Sequence, residues 1–484
     1  MKICFMCDLH LPFDKNTLQY DVLEWAIEDI RAKNPDCIAY AGDVTCDGNL
    51  DVYKWFIEKM QSIQIPFLFI PGNSDLRSQI SRNEIKNISS KCENFVAGTK
   101  IFAVNDSEAT VSDDQLSLLE KANDDSIVFM HHPMASLSES SYEKMLDWRG
   151  RHPKTFLFYG HLHETKIFGN SISLQALDPD KAIGECPCVS YFDTDTKKLD
   201  KSHYLSPVPA DFYSYFGISC YSAVDHVKYA TERKLKNIEL RPNCIQADRE
   251  ELKDCIAKWR SCGGEDLCIH LPDINYNDGN VKTDNIDSYI DLANLLKANR
   301  FTQHVPIVSV KKVKENPEAL DLICNYLSEK LNRVDHEVTV GVENMHMTAK
   351  DMPDDTRRFG YIPEECIMFM KALRKSCKHK VGINFDIGHA RNNAPYSQKY
   401  QTSTWLSQIG KYAVGYHIHQ VILDENGFSN HMPITDVYGK LISFASFFKC
   451  WDESRINKAP LIFEMRPQGS YDITLKIFEE QKSL

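Results

Sequence analysis

Residues 2–10 read Lys-Ile-Cys-Phe-Met-Cys-Asp-Leu-His, a short apolar run that stops at an acid (Asp8) and an imidazole (His10). An apolar run of strand length that ends in polar residues reads as a buried parallel strand with its tip exposed to chemistry. The pattern recurs. Residues 37–41 lead into Gly42-Asp43, and 67–70 into Gly72-Asn73-Ser74-Asp75. Residues 126–130 lead into His131-His132-Pro133, and 155–159 into Gly160-His161-Leu162-His163. Residues 100–104 are a further strand, and amphipathic stretches such as 17–33 and 50–63 lie between strands. Runs 171–176 and 188–192 follow without helices between them. Residues 1–200 are thus expected to form a layered α/β domain that ends in a meander. The glycines at 42, 72 and 160 allow tight turns at the strand tips.

Residues 201–212 contain two prolines and no apolar periodicity, as expected of a linker. From residue 213 to 484 the rhythm changes to strand then helix, eight times. The strands are read at 215–221, 237–241, 267–271, 305–310, 338–343, 381–386, 413–419 and 460–466. The helices are read at 223–236, 249–262, 285–300, 316–332, 363–377, 402–411, 435–451 and 471–481. Eight such units in about 270 residues match a (β/α)8 TIM barrel.

Composition narrows the function. The 484 residues are 43% hydrophobic and 26% charged, which excludes a disordered, collagen-like or coiled-coil chain. There is no apolar run of transmembrane length and no signal-peptide core, so a cytoplasmic protein without membrane contact is expected. The sixteen cysteines are scattered, as expected of buried free thiols in a reducing compartment. Cys4 and Cys7 form a CxxC, but inside a strand. The net charge is -12, and residues 1–210 hold 21 Lys+Arg against 31 Asp+Glu. The densest basic run, 371–380, sits at a helix end, where cations complement the helix dipole. A basic stripe for duplex nucleic acid is absent.

The strand-tip residues of the first half are all hard oxygen or imidazole donors. In order and spacing they resemble the calcineurin-like metallophosphoesterases, whose pattern is DxH, GD, GNHD or GNHE, H-x-P and GHxH. The resemblance covers about residues 1–200 and implies a four-layer αββα sandwich. It also implies two divalent cations (Mn²⁺, Fe²⁺, Zn²⁺ or Ni²⁺). By the same resemblance Asp8, His10, Asp43 and His163 hold one cation, Asp43, Asn73, His131 and His161 hold the other, and Asp43 bridges them. Such a pair clamps an in-line attack on phosphorus and supplies hydroxide near neutral pH. One position departs: Ser74 stands where the family has a histidine. A serine is no acid near neutral pH, so His132 is the candidate replacement, and Asp43, His132 and Asp75 are the expected catalytic residues. Activated aryl phosphoesters should then react better than alkyl phosphomonoesters.

The strand ends of the second half carry His270, Glu343, Asp386, His389, His417, His419, His431, Glu464 and Arg466. The motifs GVEN (341–344), FDIGH (385–389), HIH (417–419) and FEMR (463–466) resemble the xylose-isomerase-like barrels, the superfamily that includes endonuclease IV. The resemblance implies a metal site of Glu343, Asp386, His419 and Glu464 for Mn²⁺, Mg²⁺ or Zn²⁺. His417 is the alternative to His419, because both face inward at period two. In an isomerase, Glu343 and Glu464 would also shuttle a proton. His270, His389, His417, His431 and Arg466 are additional metal or substrate candidates. Against a three-zinc nuclease centre, the expected fourth strand ends at Ser309-Val310 without a histidine, and Ser429 stands where that family has an aspartate.

Three readings follow. The first is a phosphoesterase for a small phosphorylated substrate, a nucleotide or sugar phosphate, joined to a sugar isomerase- or epimerase-like barrel. The second is a nucleic-acid-processing enzyme. The third is a catalytically weak binding scaffold. The oligomeric state is left open.

Overall fold

The computed structural model describes residues 1–348, 350–425, 427–467 and 469–481. By internal contacts the chain divides into two compact units. One is Met1–Ser206 with Val437–Ser446, and the other is Pro207–Asp436 with Phe447–Leu484.

The first unit is an αββα sandwich of two sheets. One sheet orders its strands Lys198–His203, Cys188–Asp193, Lys2–Met6, Cys37–Ala41 and Phe67–Ile70. The other runs Glu93–Val96, Thr99–Ala103, Ile127–Met130, Phe156–Tyr159, Ser171–Ser173 and Lys166–Phe168. Every second residue of the central strands faces the opposite sheet. Ile3, Phe5, Ala39 and Ala41 thus meet Phe129 and Phe158 in one core, with Phe5 stacked on Phe158 at 3.9 Å. The alternate residues bury the helices Leu18–Lys33 and Leu50–Gln61 on one face, and Glu139–Arg151 packs on the other. Cys4 and Cys7 are fully buried, and burial pushes both thiols well above their usual range, so neither is poised for redox chemistry. Residues 201–203, read as linker, complete the edge strand, because Lys198–His203 pairs antiparallel with Cys188–Asp193.

The second unit is a closed barrel of eight parallel strands: Phe216–Cys220, Asn237–Leu240, Asp266–His270, Arg300–His304, Thr339–Glu343, Lys380–Asp386, Ala413–Ile418 and Leu461–Phe463. The fourth strand corrects the sequence expectation of 305–310. Pro306 cannot donate to a ladder, and Val310 opens the helix Val310–Glu315. Arg300–His304 pairs instead, with polar residues 300, 302 and 304 turned inward and Phe301 outward. The expected helix at 435–451 is shorter, Ala445–Asp452. No helix among the described residues is long and apolar enough to cross a membrane.

Candidate metal centres

In the first unit the strand tips converge. His10 Nε2 lies 3.1 Å from Asp43 Oδ2, and His131 Nε2 lies 3.5 Å from Asp43 Oδ1. Asp43 thus stands between two donor groups. On one side are Asp8, His10 and His163, with His163 Nε2 3.6 Å from Asp8 Oδ1. On the other, Asn73 Oδ1 meets His131 Nε2 at 2.9 Å and His161 Nδ1 at 3.0 Å. These are the seven donor positions that the sequence singled out, brought to one place.

The backbone is strained to achieve this. Asp8, His10, Asp43, His161 and His163 all have left-handed φ, between 48° and 68°. Each costs about 1 kcal/mol or more, and such residues gather at sites where geometry matters more than stability. Gly72 is required for closeness, since a Cβ there would lie 2.2 Å from Asp43 Oδ1. Cations fit the set: the donors are carboxylate, amide oxygen and imidazole, and Asp8 Oδ1 is fully buried without a hydrogen-bond partner.

Electrostatics agree. Burial opposes a charge on His131, but Asp43, Asp8 and Asp106 outweigh it and push its pKa up to about 9. Burial, with Lys181, holds His10 down to about 3, and burial with His131 and His132 holds His161 near 4. One proton therefore sits where the acidic cluster calls for positive charge. An imidazolium has no lone pair for a metal, so an entering cation must displace the His131 proton, whereas His10 and His161 are already neutral at pH 7. The affinity for Mn²⁺ should rise by about tenfold per pH unit toward pH 9 and level off above it. Binding isotherms from pH 6.5 to 9.5 check this, and a flat profile contradicts it.

Asp75 corrects the sequence expectation of a catalytic role. Both of its oxygens are consumed: Val44 N and Gly72 N donate to Oδ2 at 3.1 and 2.9 Å, and Thr45 N and Oγ1 donate to Oδ1 at 2.7 and 2.9 Å. It ties the Asp43 loop to the Asn73 loop, and burial with the Asp43 charge raises its pKa to about 7. Ser74 is fully buried, and its Oγ donates to Thr45 O at 2.6 Å, so its hydroxyl faces away from chemistry. His132 lies within 4.8 Å of the donor atoms of His131 and His161. Asp106 orients it, accepting from the backbone N–H of His131 and His132 at 2.7 and 2.8 Å and lying 3.2 Å from His132 Nδ1. Asp178 Oδ2 stands 3.5 Å from His10 Nδ1 and turns Nε2 toward Asp43. Neither Asp106 nor Asp178 was singled out from sequence, because each lies in a loop with no flanking motif.

In the barrel, three buried carboxylates each face several imidazoles. Glu343 meets His270 at 3.3 Å, His304 at 3.7 Å, His417 at 3.1 Å and His389 at 3.5 Å. Asp386 meets His419 at 3.2 Å, His389 at 3.6 Å and His417 at 3.7 Å. Glu464 meets His417 at 2.8 Å and His431 at 3.6 Å, and Arg241 clamps its other side at 2.5 Å. Glu343, Asp386, His417 and Glu464 bring one donor atom each within 4.8 Å of one another. His417, the alternative to His419, joins the three carboxylates of the expected quartet in this group, and His419 Nε2 stands 3.2 Å from Asp386. The last strand residue is Ile418, and beyond it the His419 ring turns to Asp386 and accepts the His431 N–H at Nδ1. A second group is His270, His304 and Glu343. His304 is the fourth-strand histidine that the misplaced strand hid. Arg466 is exposed at the mouth, and its N–H donates to His431 O.

Glu239, missed because a lone acid in NIEL reads as an ordinary strand residue, lies 3.0 Å from His417 Nε2 and directs Nδ1 toward the carboxylates. Burial opposes a charge on His417, but Glu239, Glu343 and Glu464 push its pKa well above the usual imidazole range. Glu343 Oε2 and His270 Nε2 are buried without hydrogen bonds, as donors that await a cation are.

Comparison with known proteins agrees with both halves. Residues 1–165 match the calcineurin-like phosphoesterases, and residues 235–481 match the xylose isomerase-like TIM barrels. A probable cyclic nucleotide phosphodiesterase of Xenorhabdus bovienii is 26% identical over 37% of this chain and 85% of its own. A probable glycerophosphodiester phosphodiesterase, GpdQ, of Arcobacter nitrofigilis is 25% identical over 32% and 67%. A D-tagatose 3-epimerase-like protein of known structure covers 56% of this chain and 97% of its own, at 20% identity and a TM-score of 0.37. The chain is a metal-dependent phosphoesterase whose residues 1–165 match the calcineurin-like phosphoesterases, and through its barrel, matched over half of the chain, it belongs to the xylose isomerase-like TIM barrel family.

Proposed function

We propose that the first unit hydrolyses phosphodiesters or activated phosphoesters of small phosphorylated molecules, nucleotides foremost, at a two-cation centre bridged by Asp43. The observation that carries this is the placement of Asp43 between two donor groups, 3.1 Å from His10 and 3.5 Å from His131. Two cations held by Asp8, His10, Asp43, His163, Asn73, His131 and His161 would supply hydroxide at neutral pH and neutralise the phosphoryl oxygens. The names of the diesterase relatives support a diester substrate. The sixteen unpaired cysteines support a reducing, cytoplasmic setting.

His132 takes the place of the absent acid. With Nδ1 committed to Asp106, its ring has Nε2 for the leaving oxygen. General acid catalysis matters most for poor leaving groups, where it is worth roughly 10²–10⁴-fold. His132→Ala should therefore slow alkyl diesters by that order and leave nitrophenyl diesters nearly unchanged. Steady-state rates on both substrate classes with Mn²⁺ decide it, and an equal loss on both contradicts the assignment.

For the barrel, Glu343, Asp386, His417 and Glu464 suit a single Mn²⁺, Mg²⁺ or Zn²⁺ in a sugar isomerase or epimerase. Glu343 and Glu464 would then flank a carbon next to a carbonyl. His304 favours a second reading. With His270, His389, His419 and His431 it offers more imidazoles than one cation uses, as a hydrolytic centre for nucleic acid would. Ser429 still stands where an aspartate is expected, and the acidic chain lacks a basic stripe. DNA binding titrated against salt separates the readings, since phosphate contacts give a steep salt dependence.

A further inference from the structure

The antiparallel strand pair at the edge of the first sheet carries a donor group that neither metal centre uses. Cys188 and His203 stand directly opposite each other across Cys188–Asp193 and Lys198–His203, so their side chains leave the same face of the sheet. Glu185 reaches them from the loop before the strand. Gln175 fixes that loop, its Nε2 donating to Ile183 O at 3.2 Å and to Glu185 O at 3.1 Å. The Glu185 carboxylate is divided between two partners. Oε1 accepts from Lys201 Nζ at 2.5 Å, and Oε2 lies 2.9 Å from His203 Nε2. Glu185, Cys188 and His203 bring one donor atom each within 4.8 Å of one another. A tetrahedral zinc ion, with bonds of about 2.0–2.3 Å, holds its donors about 3.3–3.8 Å apart, so the group is close to that size.

The group is open to solvent on one side. Cys188 is 1% exposed, but the side chains of Glu185 and His203 are 30% and 33% exposed. The sulfur is thus the inner donor, and an ion reaches it past the carboxylate and the imidazole. Cys186, two residues earlier, is committed elsewhere: its Sγ donates to Tyr438 Oη at 3.0 Å and accepts from Ser206 N at 3.5 Å. The three donors all belong to the sandwich unit.

The sulfur decides the kind of ion. The donors of the Asp43 and Glu343 centres are oxygen and imidazole, which suit Mn²⁺ and Mg²⁺ as well as Zn²⁺, whereas a thiolate selects zinc-class cations. Burial and the Glu185 charge push the Cys188 thiol up to about 12, so it is inert by itself, but a coordinating cation deprotonates a thiol outright.

We propose that Glu185 Oε2, Cys188 Sγ and His203 bind one thiol-seeking divalent cation of the zinc class, at a site separate from the Asp43 centre. Binding forms a bond from Sγ to the cation and releases the thiol proton to solvent. Glu185 and His203 add lone pairs, Lys201 keeps Oε1, and water takes the fourth position. The ion fastens the loop at 183–187 to the edge strand.

The test is titration of the Mn²⁺-loaded full chain with Co²⁺, read by the thiolate-to-cobalt charge-transfer band in the near ultraviolet. Cobalt that exchanges into the oxygen and imidazole centres gives no such band. The expected result is a band that saturates at one cobalt per chain. Cys188→Ser should abolish it, His203→Gln should weaken cobalt binding by about tenfold or more, and Cys186→Ser should leave it unchanged. His203 is partly exposed, so His203→Gln remains informative if Cys188→Ser fails to fold. A wild-type chain without the band overturns the site, as does a band that persists in Cys188→Ser or an affinity that His203→Gln leaves unchanged. Loss of the band in Cys186→Ser overturns the assignment of the sulfur to Cys188.

Discussion

Asp43→Asn should lower phosphodiester hydrolysis by about 10³-fold or more while leaving the fold intact. The expectation rests on the contacts of one carboxylate. Oδ2 faces His10 at 3.1 Å, and Oδ1 faces His131 and accepts the Ser74 N–H at 2.7 Å. An amide in its place keeps one oxygen for Ser74 but turns an NH₂ toward the other donor group, where a cation would meet a donor hydrogen. A metal centre stabilises the transition state by several kcal/mol, and each 1.36 kcal/mol is a factor of ten. Stability of the metal-free chain should fall modestly at neutral pH: burial opposes the Asp43 charge, but the His131 charge and the His10 hydrogen bond outweigh it and hold the carboxyl well below its usual range, so its charge stabilises the fold. Rates with an aryl diester and a thermal melt of the metal-free chain check the two halves of the prediction. Unchanged hydrolysis would place the centre elsewhere.

Glu343→Gln should have the corresponding effect in the barrel and none in the sandwich. Glu343 lies within 3.7 Å of four imidazoles and belongs to both donor groups of the barrel. Whatever reaction the barrel performs should fall by about 10³-fold, by the same arithmetic. Diester hydrolysis at the Asp43 centre should stay at the wild-type rate. The two substitutions together form a double dissociation. Loss of both activities in either variant would mean that one centre serves both.

The legible parts of this protein were those where apolar and polar residues keep to separate positions. In the sandwich, runs such as FLFI at Phe67–Ile70 end in glycine and ligand, so strand, turn and donor could all be read in order. The fourth barrel strand could not. Arg300, Thr302 and His304 face a polar interior, so the strand lacks the apolar signature that the β-branched run after it happens to carry. That displacement concealed His304. The choice between His417 and His419 stayed open in the sequence for a related reason. Alternation makes both inward, and only the end of the strand at Ile418 separates the ring among the carboxylates from the ring beyond it. Asp75 was misjudged because its motif position says nothing of the four donors that consume it. Asp106, Asp178 and Glu239 act through other side chains, and contacts between residues 25 to 178 positions apart leave no local pattern.

The most direct test is elemental analysis of the metal content of three full-length chains: wild type, Asp43→Asn and Glu343→Gln. Asp43→Asn should lose the cations that Asp43 bridges and keep those of the barrel, and Glu343→Gln should do the reverse. A wild-type chain that takes up no divalent cation, or three chains of equal content, would contradict the claim that these strand tips are metal cages.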